Sequence, residues 1–125
     1  QNTHIRDIIP IIKIDEEIEL KKINLQMVKD LSLLEPFGEA NKLPLFLIRN
    51  LKIQAIRSLS EGKHLKLKLA QENFAIEAIG FNMGELTQNY SIGDKIDVVG
   101  SLEINAFNGN EQIQMNLKDM RISMS

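Results

Sequence analysis

The chain has no cysteine, no tryptophan and a single tyrosine among its 125 residues. Without cysteine, disulfide bonds are excluded, and a reducing compartment fits the composition. The longest nearly apolar stretch, Leu43 to Ile48, is interrupted by Pro44 and is far too short to span a bilayer. No signal-peptide pattern opens the chain, and because Gln1 is not a natural start we expect an excised fragment of a longer protein.

Groups of residues that perform catalysis are also missing from the sequence. The two histidines, His4 and His64, lie in different segments and have no cysteine companions, which argues against a zinc site. Neither a glycine-rich phosphate loop nor a nucleophile elbow is present. The acidic run Asp15 to Glu17 has oxygens that could bind a divalent ion, but a solvated turn explains it better. We therefore expect no catalytic residue, no metal site and no cofactor in this chain.

Basic residues are scarce overall but concentrated in one segment. The net charge is -2, which argues against a general nucleic-acid binder. Residues 42–68, however, hold seven basic side chains against one acidic side chain, Glu61, and so carry a net charge of +6. Such asymmetry can create a local positive field on an acidic protein. On charge alone, a phosphate-binding surface and a set of merely solubilising lysines fit equally well.

The N-terminal third of the chain predicts a strand followed by a helix. The isoleucine-rich run Ile8 to Ile14 indicates a short strand, and Pro10 favours a sheet edge. Asn24 is a good helix N-cap, and apolar residues recur after it at helical spacing until Pro36 forces a stop.

The rest of the chain predicts five strands with one short helix. The first begins near Leu45 and changes phase near Asn50, which indicates a bulge. A turn at Arg57 to Gly62 leads to the second strand, Lys63 to Leu69, and a hairpin turn at Gln71 to Asn73 leads to the third, Phe74 to Phe81. A helix at Gly84 to Tyr90 and a turn at Ser91 to Asp94 follow. The fourth strand runs through Ile96, Val98, Leu102 and Ile104, and an Asn108-Gly109 hairpin joins it to the fifth, which runs through Ile113, Met115 and Leu117.

This order predicts a mainly β protein: a five-stranded OB-fold-like barrel with a short helix between strands 3 and 4, preceded by a strand–helix extension. A small sandwich or an SH3-like barrel is the alternative. We expect residues 1–44 to form the extension and residues 45–125 the barrel, within one domain. The side chains expected inside the barrel are Leu65, Leu67, Ile96, Val98, Ile113 and Met115.

In an OB-fold, nucleic acid binds across strands 2 and 3, between the loops that join strands 1–2 and 4–5. Here these loops correspond to Arg57–Gly62 and Ala106–Asn110. Basic groups on such a face would neutralise phosphates, and an aromatic side chain would stack on a base. Phe107 fits the stacking role, although a residue that caps the barrel end explains it slightly better. The candidate binding residues are Arg57, Lys63, His64, Lys66, Lys68, Phe107, Asn108, Gln112 and Gln114.

Four segments of the chain together resemble one family. Leu34-Glu35-Pro36-Phe37-Gly38-Glu39-Ala40-Asn41 resembles the Leu-Glu-Pro-Phe-Gly-x-Gly-Asn-Pro segment that opens the C-terminal OB region of RecJ nucleases. The other three are His64-Leu65-Lys66-Leu67, Ala78-Ile79-Gly80-Phe81-Asn82, and Leu102-Glu103-Ile104-Asn105 with Phe107-Asn108-Gly109, Ile113-Gln114-Met115 and Lys118-Asp119. They follow the family's order, and the resemblance covers residues 15–121.

The resemblance implies a piece of a bacterial, cytoplasmic single-strand exonuclease that degrades DNA from the 5′ end. Its catalytic aspartates and histidines, which bind Mn²⁺ or Mg²⁺, would lie in upstream domains, so no catalytic residue carries over to this chain. The implied partners are single-stranded DNA, those upstream domains and single-stranded-DNA-binding protein, with no membrane. Ala40 and Lys42 depart from the family's usual glycine and proline, which leaves the role of that loop in doubt.

Two functional hypotheses follow. In the first, the chain is a non-catalytic accessory domain that binds single-stranded DNA, which the +6 segment favours. In the second, it is a structural or protein-interaction domain that closes the nuclease around its core with little DNA contact. The scarcity of aromatic residues and the low overall charge favour the second.

Overall fold

The computed structural model describes residues 14–32 and 44–124, which build a six-stranded sheet closed into a barrel. Its strands are β1 (Glu16–Glu17), β2 (Phe46–Leu59), β3 (His64–Gln71), β4 (Phe74–Gly80), β5 (Lys95–Phe107) and β6 (Asn110–Ile122). They pair in the order β1-β2-β3-β4-β6-β5, and β5 pairs back onto β2 to close the barrel. The short β1 adds a parallel strand at the start of β2.

Strict alternation of side chains gives the barrel its core. Leu65, Leu67 and Leu69 of β3 are fully buried, and the residues between them face outward. A strand whose every second residue is apolar buries one whole face against the other strands. The largest fully buried side chains among the described residues are Ile48, Leu51, Ile53, Leu65, Leu67, Leu69, Ile96, Val98 and Met115.

β2 changes phase at Asn50, which has a φ of 60° and interrupts the ladder between Ile48 and Leu51. The extra residue lets β2 pair with β5 first and with β3 afterwards. Asp97 of β5 stabilises the bulge, because its Oδ1 accepts a 3.0 Å hydrogen bond from the Asn50 amide. The bulge predicted from the phase break is therefore present.

Short helices pack against the barrel. Asn24 caps helix α1 (Leu25–Ser32), because its Oδ1 accepts a 2.9 Å hydrogen bond from the Met27 amide. Val28 anchors α1 in the core. A 3-10 helix (Leu20–Lys22) precedes α1, and a second 3-10 helix (Gly84–Gln88) lies between β4 and β5, where Leu86 packs on the core.

The predicted architecture is confirmed, with corrections at its edges. The core prediction holds, with Ile113 only partly buried. The helix between the third and fourth barrel strands is a 3-10 helix and ends at Gln88, before the predicted Tyr90. Gln71 belongs to β3, and β4 ends at Gly80, before Phe81. The predicted strand Ile8 to Ile14 lies outside the described residues except for Ile14, which is not part of a strand. The predicted helix stop at residue 36 also lies outside them.

Candidate nucleic-acid interface

The outer side of β3 carries a row of polar side chains, one histidine and two lysines. His64, Lys66 and Lys68 alternate with three fully buried leucines, so all three point away from the core. With a rise of about 3.3 Å per residue, this row extends over about 13 Å. Together with Arg57 and Lys63 we call it the basic face.

A carboxylate partly neutralises the centre of the basic face. Lys66 Nζ lies 2.9 Å from Glu77 Oε1 on β4, and the Lys66 side chain is only 22% exposed. Glu77 is also the register partner of Lys68, which is exposed and has no ion pair among the described residues. Lys68 is therefore the more available of the two lysines for an anionic ligand.

Arg57 lies in a strand, and its prediction as part of a turn is wrong. β2 continues through Leu59, and Arg57 pairs directly with Lys66 across the β2–β3 ladder. The residues there are polar because both strands of the hairpin face solvent, and the strands stay hydrogen-bonded to each other. Polar residues alone therefore do not show where the turn begins. Directly opposite side chains lie about 5 Å apart at Cβ, so two like charges meet at this point.

The turn between β2 and β3 is reduced to residues 60–63, and three of them have left-handed backbone angles: Ser60, Glu61 and Gly62. It is held by the second 3-10 helix, because the Gly84 amide donates a 3.1 Å hydrogen bond to the Lys63 carbonyl. A Cβ at Gly84 would overlap the Gly62 carbonyl oxygen, so only glycine permits this approach. The contact places exposed Lys63 beside the start of β3.

Phe81 is a candidate binding residue that the sequence analysis did not single out. It follows β4, is 53% exposed, and makes an edge-to-face contact with His64 at 5.2 Å between ring centroids. His64 is fixed in turn, because its Nδ1 accepts a 2.9 Å hydrogen bond from the Asn82 amide. The signal available in the sequence was an aromatic residue directly after a strand that ends in glycine, but only the fold shows that this ring meets His64.

Two other candidate residues, Phe107 and Asn108, lie at the hairpin between β5 and β6. β5 continues through Phe107 and β6 starts at Asn110, so the predicted loop Ala106–Asn110 shrinks to the two residues Asn108 and Gly109. Their φ angles of 53° and 79° fit the tight hairpin turn for which Asn-Gly is preferred. Phe107 is 72% exposed, so it does not cap the barrel end.

The two glutamines occupy different environments. Gln114 pairs with Glu77 across the parallel β4–β6 ladder, and its amide group bridges Glu103 and Asn105 at 3.4 Å each. Gln112 is exposed and lines an open cleft of about 360 Å³ together with Lys68 and Glu77. The structure thus brings Gln112 to Lys68 but leaves Phe107 and Asn108 remote from the basic face.

The described residues do not fit a metal ion. No three histidine, aspartate or glutamate side chains within residues 14–32 and 44–124 come together as a ligand set. In the acidic run, Asp15 accepts a 2.8 Å hydrogen bond from the Leu45 amide, and Glu17 pairs with Arg49 at 3.1 Å. In the same part of the chain, no helix is long and apolar enough to cross a membrane.

Comparisons with known proteins relate most of the chain to one family. The family model described as "RecJ OB domain" matches residues 14–119. The single-stranded-DNA-specific exonuclease RecJ of Bacillus subtilis is 30% identical over 118 residues, which cover 94% of this chain and 15% of that protein. This chain thus spans about a seventh of the length of that relative.

Solved structures show the same relationship. The crystal structure of RecJ from Thermus thermophilus in complex with Mn²⁺ superposes with a TM-score of 0.69 at 27% identity, covering 91% of this chain and 16% of that chain. The second single-stranded-DNA-binding protein of Mycobacterium smegmatis superposes with a TM-score of 0.55 at 17% identity, covering 64% and 86% respectively. The second match is a likeness of fold alone, and the fold is the OB-fold.

Proposed function

The chain belongs to the RecJ OB domain family, and from this premise we propose that it holds single-stranded DNA for an exonuclease whose catalytic groups lie elsewhere in the polypeptide. The observation that carries the proposal is the basic face. Its two lysines and His64 alternate with buried leucines on the outer side of β3, which is the second barrel strand and thus part of the wall where OB-folds bind nucleic acid.

Binding through the basic face would be mainly electrostatic. Lys63, Lys68 and Arg57 are exposed, and contacts to phosphates would release counterions from the DNA. We infer that Phe81 supplies one stacking surface at the end of this face. With few aromatic side chains, base stacking contributes less than it does in a stand-alone single-strand binder, so the isolated chain binds weakly and with a strong dependence on salt.

The wider context is part of the same proposal. The complete protein degrades single-stranded DNA from its 5′ end with Mn²⁺ or Mg²⁺ held in upstream domains, works in the bacterial cytoplasm and meets single-stranded-DNA-binding protein. Residues 1–44 act as an extension on the barrel formed by residues 45–125.

The isolated chain hydrolyses nothing. An exonuclease assay with added Mn²⁺ or Mg²⁺ tests this, and degradation that is abolished by a point mutation within the chain would refute it.

The test is fluorescence anisotropy of a labelled single strand at several salt concentrations. Lys66→Glu combined with Lys68→Glu should abolish detectable binding, because both changes reverse charges in the basic face. Circular dichroism checks that the variant is folded, because Lys68 is exposed but Lys66 is only 22% exposed and loses its ion pair with Glu77. Lys21→Glu combined with Lys22→Glu, in the first 3-10 helix, makes the same change in net charge and should retain most of the binding.

If the folded Lys66/Lys68 variant binds as well as the wild type, the basic face is only a solvated surface. The chain would then be a structural or protein-interaction domain that closes the nuclease around its core.

A further inference from the structure

A second group of cations lies beside the basic face on the outer wall of the barrel. Lys52 of β2 and Lys95 of β5 are direct register partners, and both are exposed. Their neighbours Leu51 and Ile96 are fully buried, so the two lysines point outward on the same side of the ladder. Arg121 of β6 is the register partner of Asp97, and Asp97 lies two residues after Lys95 on β5. We call Lys52, Lys95 and Arg121 the basic track.

The basic track is continuous with the basic face. Lys52 pairs with Ala70 on β3, and Lys68 is two residues away from Ala70 on the same side of that strand. Diagonal neighbours in a ladder lie about 7–8 Å apart, and direct partners about 5 Å. Successive cations therefore follow one another from β3 over β2 and β5 to β6, roughly perpendicular to the strands.

Two of the three cations of the basic track have no carboxylate partner among the described residues, and the third, Arg121, is paired with Asp97. Neither Lys52 nor Lys95 has an ion pair with any other described residue. Asp97 is the buried acid of this region, and it is shared by two arginines: Arg121 Nε lies 3.2 Å and Arg49 3.6 Å from its Oδ2. Glu17 pairs with Arg49, and the Asp94 carboxylate, which precedes Lys95, accepts a 2.9 Å hydrogen bond from the Ser91 amide.

Two features suit the basic track to an anionic ligand. Like charges directly opposite each other in a ladder are destabilising, and an anion lying over Lys52 and Lys95 would relieve that repulsion. Asp97 fixes the Arg121 guanidinium through Nε and leaves its two terminal nitrogens without a partner among the described residues. A fixed, outward-facing guanidinium is a good donor to a phosphate.

The geometry points to the basic track as a second phosphate-contact surface, along which a single strand bound on the basic face continues around the barrel. This inference rests on the proposed function and extends it beyond the strand 2–3 wall and its loops. Continuity with Lys68 favours nucleic acid over an acidic protein segment, because one polyanion can occupy both surfaces without interruption.

The experiment compares two oligothymidylates in binding assays with the whole chain: one of about 5 nucleotides and one of about 16, the ends of the range of OB-fold site sizes. The short one covers the basic face alone, and the long one reaches the basic track. Lys52→Glu combined with Lys95→Glu should weaken binding of the long oligonucleotide by about tenfold and leave the short one within about twofold. Lys21→Glu combined with Lys22→Glu is the charge-matched control and should show no such dependence on length.

Equal affinity of the wild type and the Lys52/Lys95 variant for the long oligonucleotide would overturn the basic track while leaving the proposed function standing. Equal losses at both lengths would also overturn it, because the track would then not be a separate path. If an oligoglutamate peptide binds the wild type but not the variant and oligonucleotide length has no effect, the occupant is an acidic protein segment and the inference is wrong. A wild type that binds neither oligonucleotide would contradict the proposed function itself.

Discussion

Lys66 and Glu77 form a 2.9 Å ion pair across the β3–β4 ladder, in the middle of the basic face. The pair has two consequences. The Glu77 carboxylate offsets the positive charge of Lys66 and so reduces its repulsion with Arg57, which lies directly opposite on β2. The pair also places a carboxylate where a DNA phosphate would have to approach, so Glu77 limits the affinity of the face for a polyanion.

Glu77→Gln should strengthen binding of single-stranded DNA several-fold at low salt, because it removes that carboxylate and releases Lys66 for a phosphate. One additional phosphate contact should steepen the dependence of log K on log salt by about 0.7. Anisotropy titrations over a salt series measure both quantities. Glu111→Gln makes the same charge change in a surface ion pair with Lys29 and is the control. An identical salt dependence for Glu77→Gln and the wild type would contradict a contact between Lys66 and phosphate.

Phe81→Ala should weaken binding more than Phe107→Ala does. Phe81 is fixed against His64 at the end of the basic face, whereas the more exposed Phe107 lies at the hairpin at the opposite end of the barrel wall. Loss of one stacked base costs about 1–3 kcal/mol, so at least a fivefold loss of affinity is expected for Phe81→Ala. Titration of both variants with one labelled strand compares them directly. A larger effect of Phe107→Ala would move the stacking surface to the hairpin.

Asp97→Ala should lower the free energy of unfolding by about 1–3 kcal/mol, because the Asn50 amide loses its acceptor at the β2 bulge and two arginines lose their shared carboxylate. Urea unfolding monitored by circular dichroism measures the loss. Asp30→Ala removes an exposed carboxylate from α1 and should change the free energy of unfolding much less. Equal stabilities of the two variants would show that Asp97 does not hold the bulge.

The single tyrosine predicts a specific response to alkaline pH. Burial raises the pKa of Tyr90 above its ordinary value of 10.0, and the nearby carboxylates of Asp119 and Asp94 raise it further. The unfolded chain therefore releases this proton first, so the contribution of Tyr90 to stability is complete below pH 10.0 and is lost as the pH rises through the pKa of the folded state.

Tyr90→Phe should consequently lose less stability than the wild type between neutral pH and a pH above 10, although lysine titration destabilises both proteins alike. Urea unfolding at the two pH values gives the comparison. Parallel losses in the two proteins would mean that the Tyr90 hydroxyl titrates at the same pH in the folded and unfolded chains.

Local patterns were sufficient to predict most of the fold. The alternation of Leu65, Leu67 and Leu69 determines which side of β3 is buried, and the Asn108-Gly109 pair determines the final hairpin. The phase break near Asn50 predicted the bulge for the same reason: side-chain direction along a strand has a period of two. Each of these signals lies within a few neighbouring residues.

The remaining features depend on register between distant strands, which no local pattern contains. The ion pair of Lys66 with Glu77 requires the β3–β4 register, and burial of Asp97 requires Arg49 and Arg121 from two other strands. Arg57 was predicted in a turn because polar residues on exposed hairpin arms resemble turn residues in sequence. The contact of Phe81 with His64 also depends on the pairing of distant strands, so the sequence alone does not show it.

Backbone amide NMR can locate single-stranded DNA on the outer side of β3 residue by residue. Spectra of the labelled chain are recorded during titration with a short oligothymidylate at low salt and again at high salt. DNA bound to the basic face should give the largest shift changes at residues 63–68 and 81–82, and these changes should decrease as salt is added. Shift changes only in α1 or in the β5–β6 hairpin, or no shift changes at all, would exclude binding on β3.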